Sequence, residues 1–94
     1  MPFRLSFDPA KDVANIRKHG MSLADAGAVY LSERKITFTS DRSGERRKID
    51  LARIDDFSPV LALVYVERDE EIRVISFRRA SKRERKSYAT AHQD

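Results

Sequence analysis

The run VLALVYV at residues 60–66 constrains the fold more than any other stretch of this chain. Seven apolar residues in a row, three of them valine, make this the most apolar segment of the chain and suit a strand. The run predicts the central strand of a sheet. Arg68-Asp69-Glu70 then reads as a tight turn, so residues 72–77 (IRVISF) form the second arm of a hairpin.

Around this hairpin the remaining elements follow from local signals. Phe3, Leu5 and Phe7 alternate weakly and suit a short first strand. Asp8-Pro9 opens a helix, with Asp accepting an amide hydrogen bond and Pro at the first helical position. Lys18 and His19 stand in its last turn, and Gly20 terminates it. Ser22 starts a second helix, with Leu23, Ala26, Val29 and Tyr30 spaced for one buried face. Residues 35–39 (KITFT) and 46–54 alternate as strands about the turn signal Asp41-Arg42-Ser43-Gly44. Ser81 with Glu84 three residues on is a capping box for a final helix. The expected order is β-α-α-β-β-β-β-α, an α+β domain with helices against one face of an antiparallel sheet. Residues 1–94 are read as one domain.

Composition removes several function classes. There is no cysteine, so disulfides, zinc–thiolate sites and thiol nucleophiles are excluded. The two histidines, His19 and His92, lack metal-ligand spacing, and no Gly-rich phosphate loop or nucleophile-elbow motif is present. No metal and no cofactor is expected. No run of about 18 apolar residues exists and the N-terminus has no apolar signal core, so the expected setting is cytoplasmic, away from any membrane.

The net charge of +4 is unevenly spread. Residues 72–88 (IRVISFRRASKRERKSY) carry seven of their 17 positions as Lys or Arg, and a second excess lies in residues 33–48. Clustered positive charge attracts phosphate backbone or an acidic protein. Cleaving RNA through the 2′-hydroxyl requires a proton acceptor, cations for the charge-rich phosphorane, and a proton donor for the leaving oxygen. Arginine suits the second role because its planar fork holds two phosphate oxygens and stays charged. Arg47, Arg73 and Arg78 are the strand-borne candidates, and Glu67, Tyr65 and Tyr88 are candidates for moving protons. Arg79, Lys82, Arg83, Lys86, Lys18 and His19 are candidates for holding RNA. Plainer roles compete: Tyr88 is spaced for packing on the sheet, Glu67 for a turn charge, His19 for the helix dipole, and residues 82–86 for a solvated face.

Two blocks carry a family resemblance. The first is FDPAKDVANIRKHGMSLADA, with Phe7, Asp8, Lys11, Asn15, Lys18, His19, Gly20, Ser22 and Ala26; the second sets Arg73, Ile75, Ser76, Arg78, Ala80, Glu84, Arg85 and Tyr88 in order. With Glu45-Arg46-Arg47 between them, the chain resembles the BrnT family of type II toxins over residues 7–88. Where many members carry His-Thr on the central strand, this chain has Tyr65-Val66. The resemblance implies a RelE-like ribonuclease fold and a toxin that blocks translation by cutting RNA without a metal. It also implies neutralisation by a BrnA-like antitoxin with a ribbon-helix-helix part, in a heterotetramer that contacts DNA only through the antitoxin. The alternative is a module that binds RNA or antitoxin without cutting, acting as a translation inhibitor or operon co-repressor.

Overall fold

The apolar run forms β4 (Leu61–Arg68), the middle strand of a five-stranded sheet. The computed structural model describes residues 3–42 and 44–93. The other strands are β1 (Arg4–Ser6), β2 (Ile36–Arg42), β3 (Glu45–Ala52) and β5 (Glu71–Arg79), arranged β1-β5-β4-β3-β2. Ser43, part of the expected β2–β3 turn, lies outside the described residues. The hairpin turn after β4 sets Asp69 at φ 55, a left-handed conformation that Asp tolerates.

The sheet is mixed rather than antiparallel. β2 through β5 pair antiparallel, but β1 joins β5 in parallel, with Leu5 opposite Ile72. Only three residues of β5 are covered this way. Farther along β5, the side chain of Asn15 takes over the role of a neighbouring strand. Its Nδ2 donates to Phe77 O at 2.7 Å, and Phe77 N donates to its Oδ1 at 3.3 Å. Nδ2 also donates to Met21 O at 2.8 Å, tying the chain after the helix to the same point.

Asn15 belongs to α1 (Pro9–His19), capped as its sequence dictates. Asp8 accepts from Ala10 N, and Gly20 at φ 73 closes the last turn through Ile16 O. The expected second helix is shortened to a 3-10 turn, Leu23–Ala26, followed by α2 (Gly27–Tyr30). Ser22 caps this segment by accepting from Ala24 N, and Asp12 of α1 accepts from Leu23 N at 2.7 Å. Leu23, Ala26 and Val29 are fully buried against Leu63, Val74 and Phe77.

The helices do not all lie on one face. α1, the 3-10 turn and α2 cover one face, whereas α3 (Lys82–Ala91) packs on the other, over Leu51, Val60 and Ala62 through Tyr88. Alternation explains why both faces can be buried: Leu61, Leu63 and Tyr65 point one way, Ala62 the other. α3 is short and crosses only one end of its face, so the rest of that face stays open.

Candidate functional site

Cross-strand partners share a face. Arg78 pairs with Ala62, Arg73 with Val66, and Arg47 with Ser40. All three arginines therefore stand on the open face, beyond the end of α3. The register shifts between Val64 and Tyr65: Ser76 faces Val64 while Val74 faces Tyr65, leaving Ile75 as the extra residue. Such a bulge re-aims side chains. Here Ile75 and Ser76 both line a groove of roughly 270 Å³ with Arg47 and Arg78.

Arg78 is fixed in place. Its Nη1 donates to Glu84 Oε1 at 2.7 Å and to Arg79 O at 3.2 Å, and its Nη2 donates to Glu84 Oε2 at 3.0 Å. These bonds leave Nε–H and one Nη2–H of the fork unclaimed among the described residues. Hydrogen bonds from Arg78, reinforced by Ser81 N, push the Glu84 carboxyl down to about 2, and Glu84 in turn raises the pKa of Arg78. Arg47 meets Glu45 at 3.4 Å, a weaker and half-exposed pair. Arg73 is exposed and has no ion-pair partner among the described residues.

The last turn of α1 lines a neighbouring groove that shares Ile75 and Ser76 with that of Arg47 and Arg78. Because Asn15 pins α1 along the β5 edge, Lys18 and His19 reach Ile75 and Ser76 around it. Burial lowers the His19 pKa, and the positive charges of Lys18 and Arg78 lower it further. The ordinary value is near 6.5, so this imidazole is neutral at pH 7 and able to accept a proton. Among the described residues, no three His, Asp or Glu side chains are grouped to hold a metal ion.

Tyr65 and Glu67 lie across the sheet from the arginines. Tyr65 is 2% exposed, packed edge-on to Tyr30, and its pKa is raised by burial and then by Asp50. Glu67 accepts from Tyr30 at 2.7 Å and Lys48 at 2.7 Å, bonds that lower its pKa; burial and Glu67 push the Tyr30 hydroxyl up to about 12. Asp50, fully buried, is held by Lys35 at 2.9 Å and Thr37 at 2.7 Å. This is a closed polar network, with each carboxylate already partnered. Tyr88 is buried under α3 in contact with His92. The structure thus brings Arg47, Arg73 and Arg78 to one face, sets Lys18 and His19 at the β5 edge beside it, puts Tyr65 and Glu67 on the opposite face, and buries Tyr88 beneath α3.

Arg79 and Lys82 are exposed near the strand–helix junction, and Arg83 and Lys86 rim an apolar groove between α3 and β2. Ser40 and the bulge at Ile75 belong to the site but were not singled out by residue type. The only trace of the bulge in the sequence is the family motif position of Ser76.

The chain is a small α+β domain with an open, arginine-lined sheet face and an imidazole at its edge. Residues 7–84 match the family model described as ribonuclease toxin, BrnT, of type II toxin-antitoxin system, and the chain belongs to that family. Membership makes it a toxin with an antitoxin partner. No curated protein shows significant similarity to the chain.

Proposed function

We propose that the chain is a metal-independent endoribonuclease toxin with a RelE-like fold, cutting RNA on the face that carries Arg47, Arg73 and Arg78. The observation that supports this reading is that Ile75 and Ser76 line both the groove of Arg47 and Arg78 and a neighbouring groove of Lys18 and His19 at the β5 edge. In this mechanism His19 takes the 2′-hydroxyl proton, because its depressed pKa keeps it unprotonated near pH 7. The 2′-oxygen then attacks phosphorus. Arg78, held by Glu84, presents its remaining N–H groups to the phosphorane, and Arg47 and Arg73 add charge. The bond from phosphorus to the 5′-oxygen breaks, leaving a 2′,3′-cyclic phosphate; the 5′-oxygen takes a proton from water at this open face, and the hydroxide formed takes back the proton held by His19. No step calls on Tyr65, Glu67 or Tyr88.

The partner in this reading is a BrnA-like antitoxin with a ribbon-helix-helix part, forming a heterotetramer that reaches DNA through the antitoxin. Antitoxin-free protein incubated with RNA in EDTA is the test. Cleavage that Arg78→Ala or Arg73→Ala abolishes supports the enzyme.

One observation favours the non-catalytic alternative. Glu84 already neutralises Arg78, Tyr65 and Glu67 lie on the opposite face, and Tyr88 is buried beneath α3. A module that binds RNA without cutting would leave the RNA intact and give a salt-dependent gel shift.

A further inference from the structure

A second cationic cavity lies at the other end of α3. It measures roughly 760 Å³ and shares no lining residue with the groove of Arg47 and Arg78. Arg34 enters it from the segment before β2, Arg53 from the β3–β4 loop, and Arg85 from α3. Tyr88 and His92 also line it.

The three arginines share an unusual condition: each is anchored by a neutral acceptor. Arg85 Nη1 donates to Ala80 O at 2.9 Å, Arg53 Nη1 to Ser58 O at 3.2 Å, and Arg34 Nη2 lies 3.1 Å from His92 Nδ1. A carbonyl or imidazole orients a guanidinium but leaves its charge uncompensated. None of the three forms an ion pair among the described residues. Arg78, by contrast, gives its charge to Glu84. Asp56, the one carboxylate lining the cavity, makes no ion pair with them.

His92 adds a further donor. Arginine can only donate, so Nδ1 accepts and the neutral ring carries its proton on Nε2. That Nε2 is buried and has no hydrogen-bond partner among the described residues. Buried donors are nearly always satisfied, so this unpartnered N–H on a residue that lines the cavity is an exception to be explained. Phe57, in the same loop as Arg53, is 97% exposed and offers an open ring for a base to stack on.

We infer that Arg34, Arg53 and Arg85 form a second phosphate site, which holds the RNA strand at a distance from the cutting face. Fork-shaped donors, a concave wall and an exposed aromatic ring on the loop that carries Arg53 match a nucleotide unit better than a lone carboxylate. This inference rests on the RNA-cleaving reading for the identity of the strand.

The test uses a fluorescent 2′-O-methyl RNA oligonucleotide, which binds but cannot be cut, read by anisotropy at several salt concentrations. Arg34→Ala and Arg53→Ala each weaken binding roughly 5-fold near 0.1 M salt and lower the salt slope by about 0.7. Asp56→Asn tightens binding, an effect that misfolding cannot produce. Unchanged affinity in all three variants, with Arg73→Ala weakened, overturns the second site and leaves the cutting face standing. No binding by the unmodified protein overturns both. Unchanged RNA binding with lost antitoxin affinity assigns the cavity to an acidic protein segment and overturns the phosphate reading.

Discussion

Arg78 and Glu84 meet in a two-point ion pair, 2.7 and 3.0 Å, that locks the end of β5 to the first turn of α3. The same Glu84 Oε1 accepts from Ser81 N at 2.7 Å, so one carboxylate completes the capping box and fixes the arginine. The helix cap and the functional face are therefore mechanically one unit.

Glu84→Gln removes the ion pair and weakens the cap together. The side chain is mostly buried, so the loss is on the order of 2–3 kcal/mol. Urea unfolding measures it, and a loss under about 0.5 kcal/mol contradicts the coupling. The variant also frees Arg78, so RNA affinity falls less than with Arg78→Ala.

The Glu84 carboxyl gives a pH signature. Its folded pKa of about 2 lies below the ordinary value of 4.5, so its contribution is fully present above pH 4.5. That stability is lost as pH falls from 4.5 towards 2, amounting to on the order of 2–3 kcal/mol. Glu84→Gln lacks this acid-labile component. Equal acid sensitivity of the two proteins in urea titrations would place the effect elsewhere.

Asn15→Ala strips three hydrogen bonds and leaves Phe77 N–H and C=O unpaired at a buried edge. The cost is about 2–4 kcal/mol. Asn15→Asp sets an oxygen against Phe77 O and does comparable harm. Amide hydrogen exchange at Phe77 checks the mechanism: it accelerates in both variants, whereas the β3–β4 pairing stays protected.

In the proposed mechanism His19 sets the acid limb of activity. Cleavage rises with pH through an apparent pKa below 6.5 and is flat above it, because the depressed His19 must be neutral to accept a proton. His19→Gln lowers the rate by about 10²–10⁴-fold and removes that limb. An unchanged profile in His19→Gln removes it from the chemistry.

Much of this was legible in residue order. Asp8, Gly20, Ser81 and Glu84 announce helix ends because capping is local chemistry. The central strand was legible because no other fold hides VLALVYV so simply. Alternation alone sets Arg73 and Arg78, five residues apart on one strand, on opposite faces; the bulge at Ile75 returns them to the same face, and residue order does not announce it. An all-apolar strand does not say which of its faces a helix will cover, and so Tyr65 and Glu67 could not be assigned to the face away from the arginines. The parallel pairing of β1 joins positions 67 residues apart, and three residues carry too little pattern to announce it. Arg34, Arg53 and Arg85 meet only in space, which no local spacing records.

The central claim is that RNA is cut by the arginine face and not across the sheet. Its most direct test compares cleavage rates of the antitoxin-free protein, Arg73→Ala and Tyr65→Phe, all in EDTA. The account predicts cleavage by the unmodified protein, a similar rate for Tyr65→Phe, and a loss of about 10²–10³-fold for Arg73→Ala. Intact RNA in every reaction, or a loss in Tyr65→Phe as large as in Arg73→Ala with the fold retained, would contradict it.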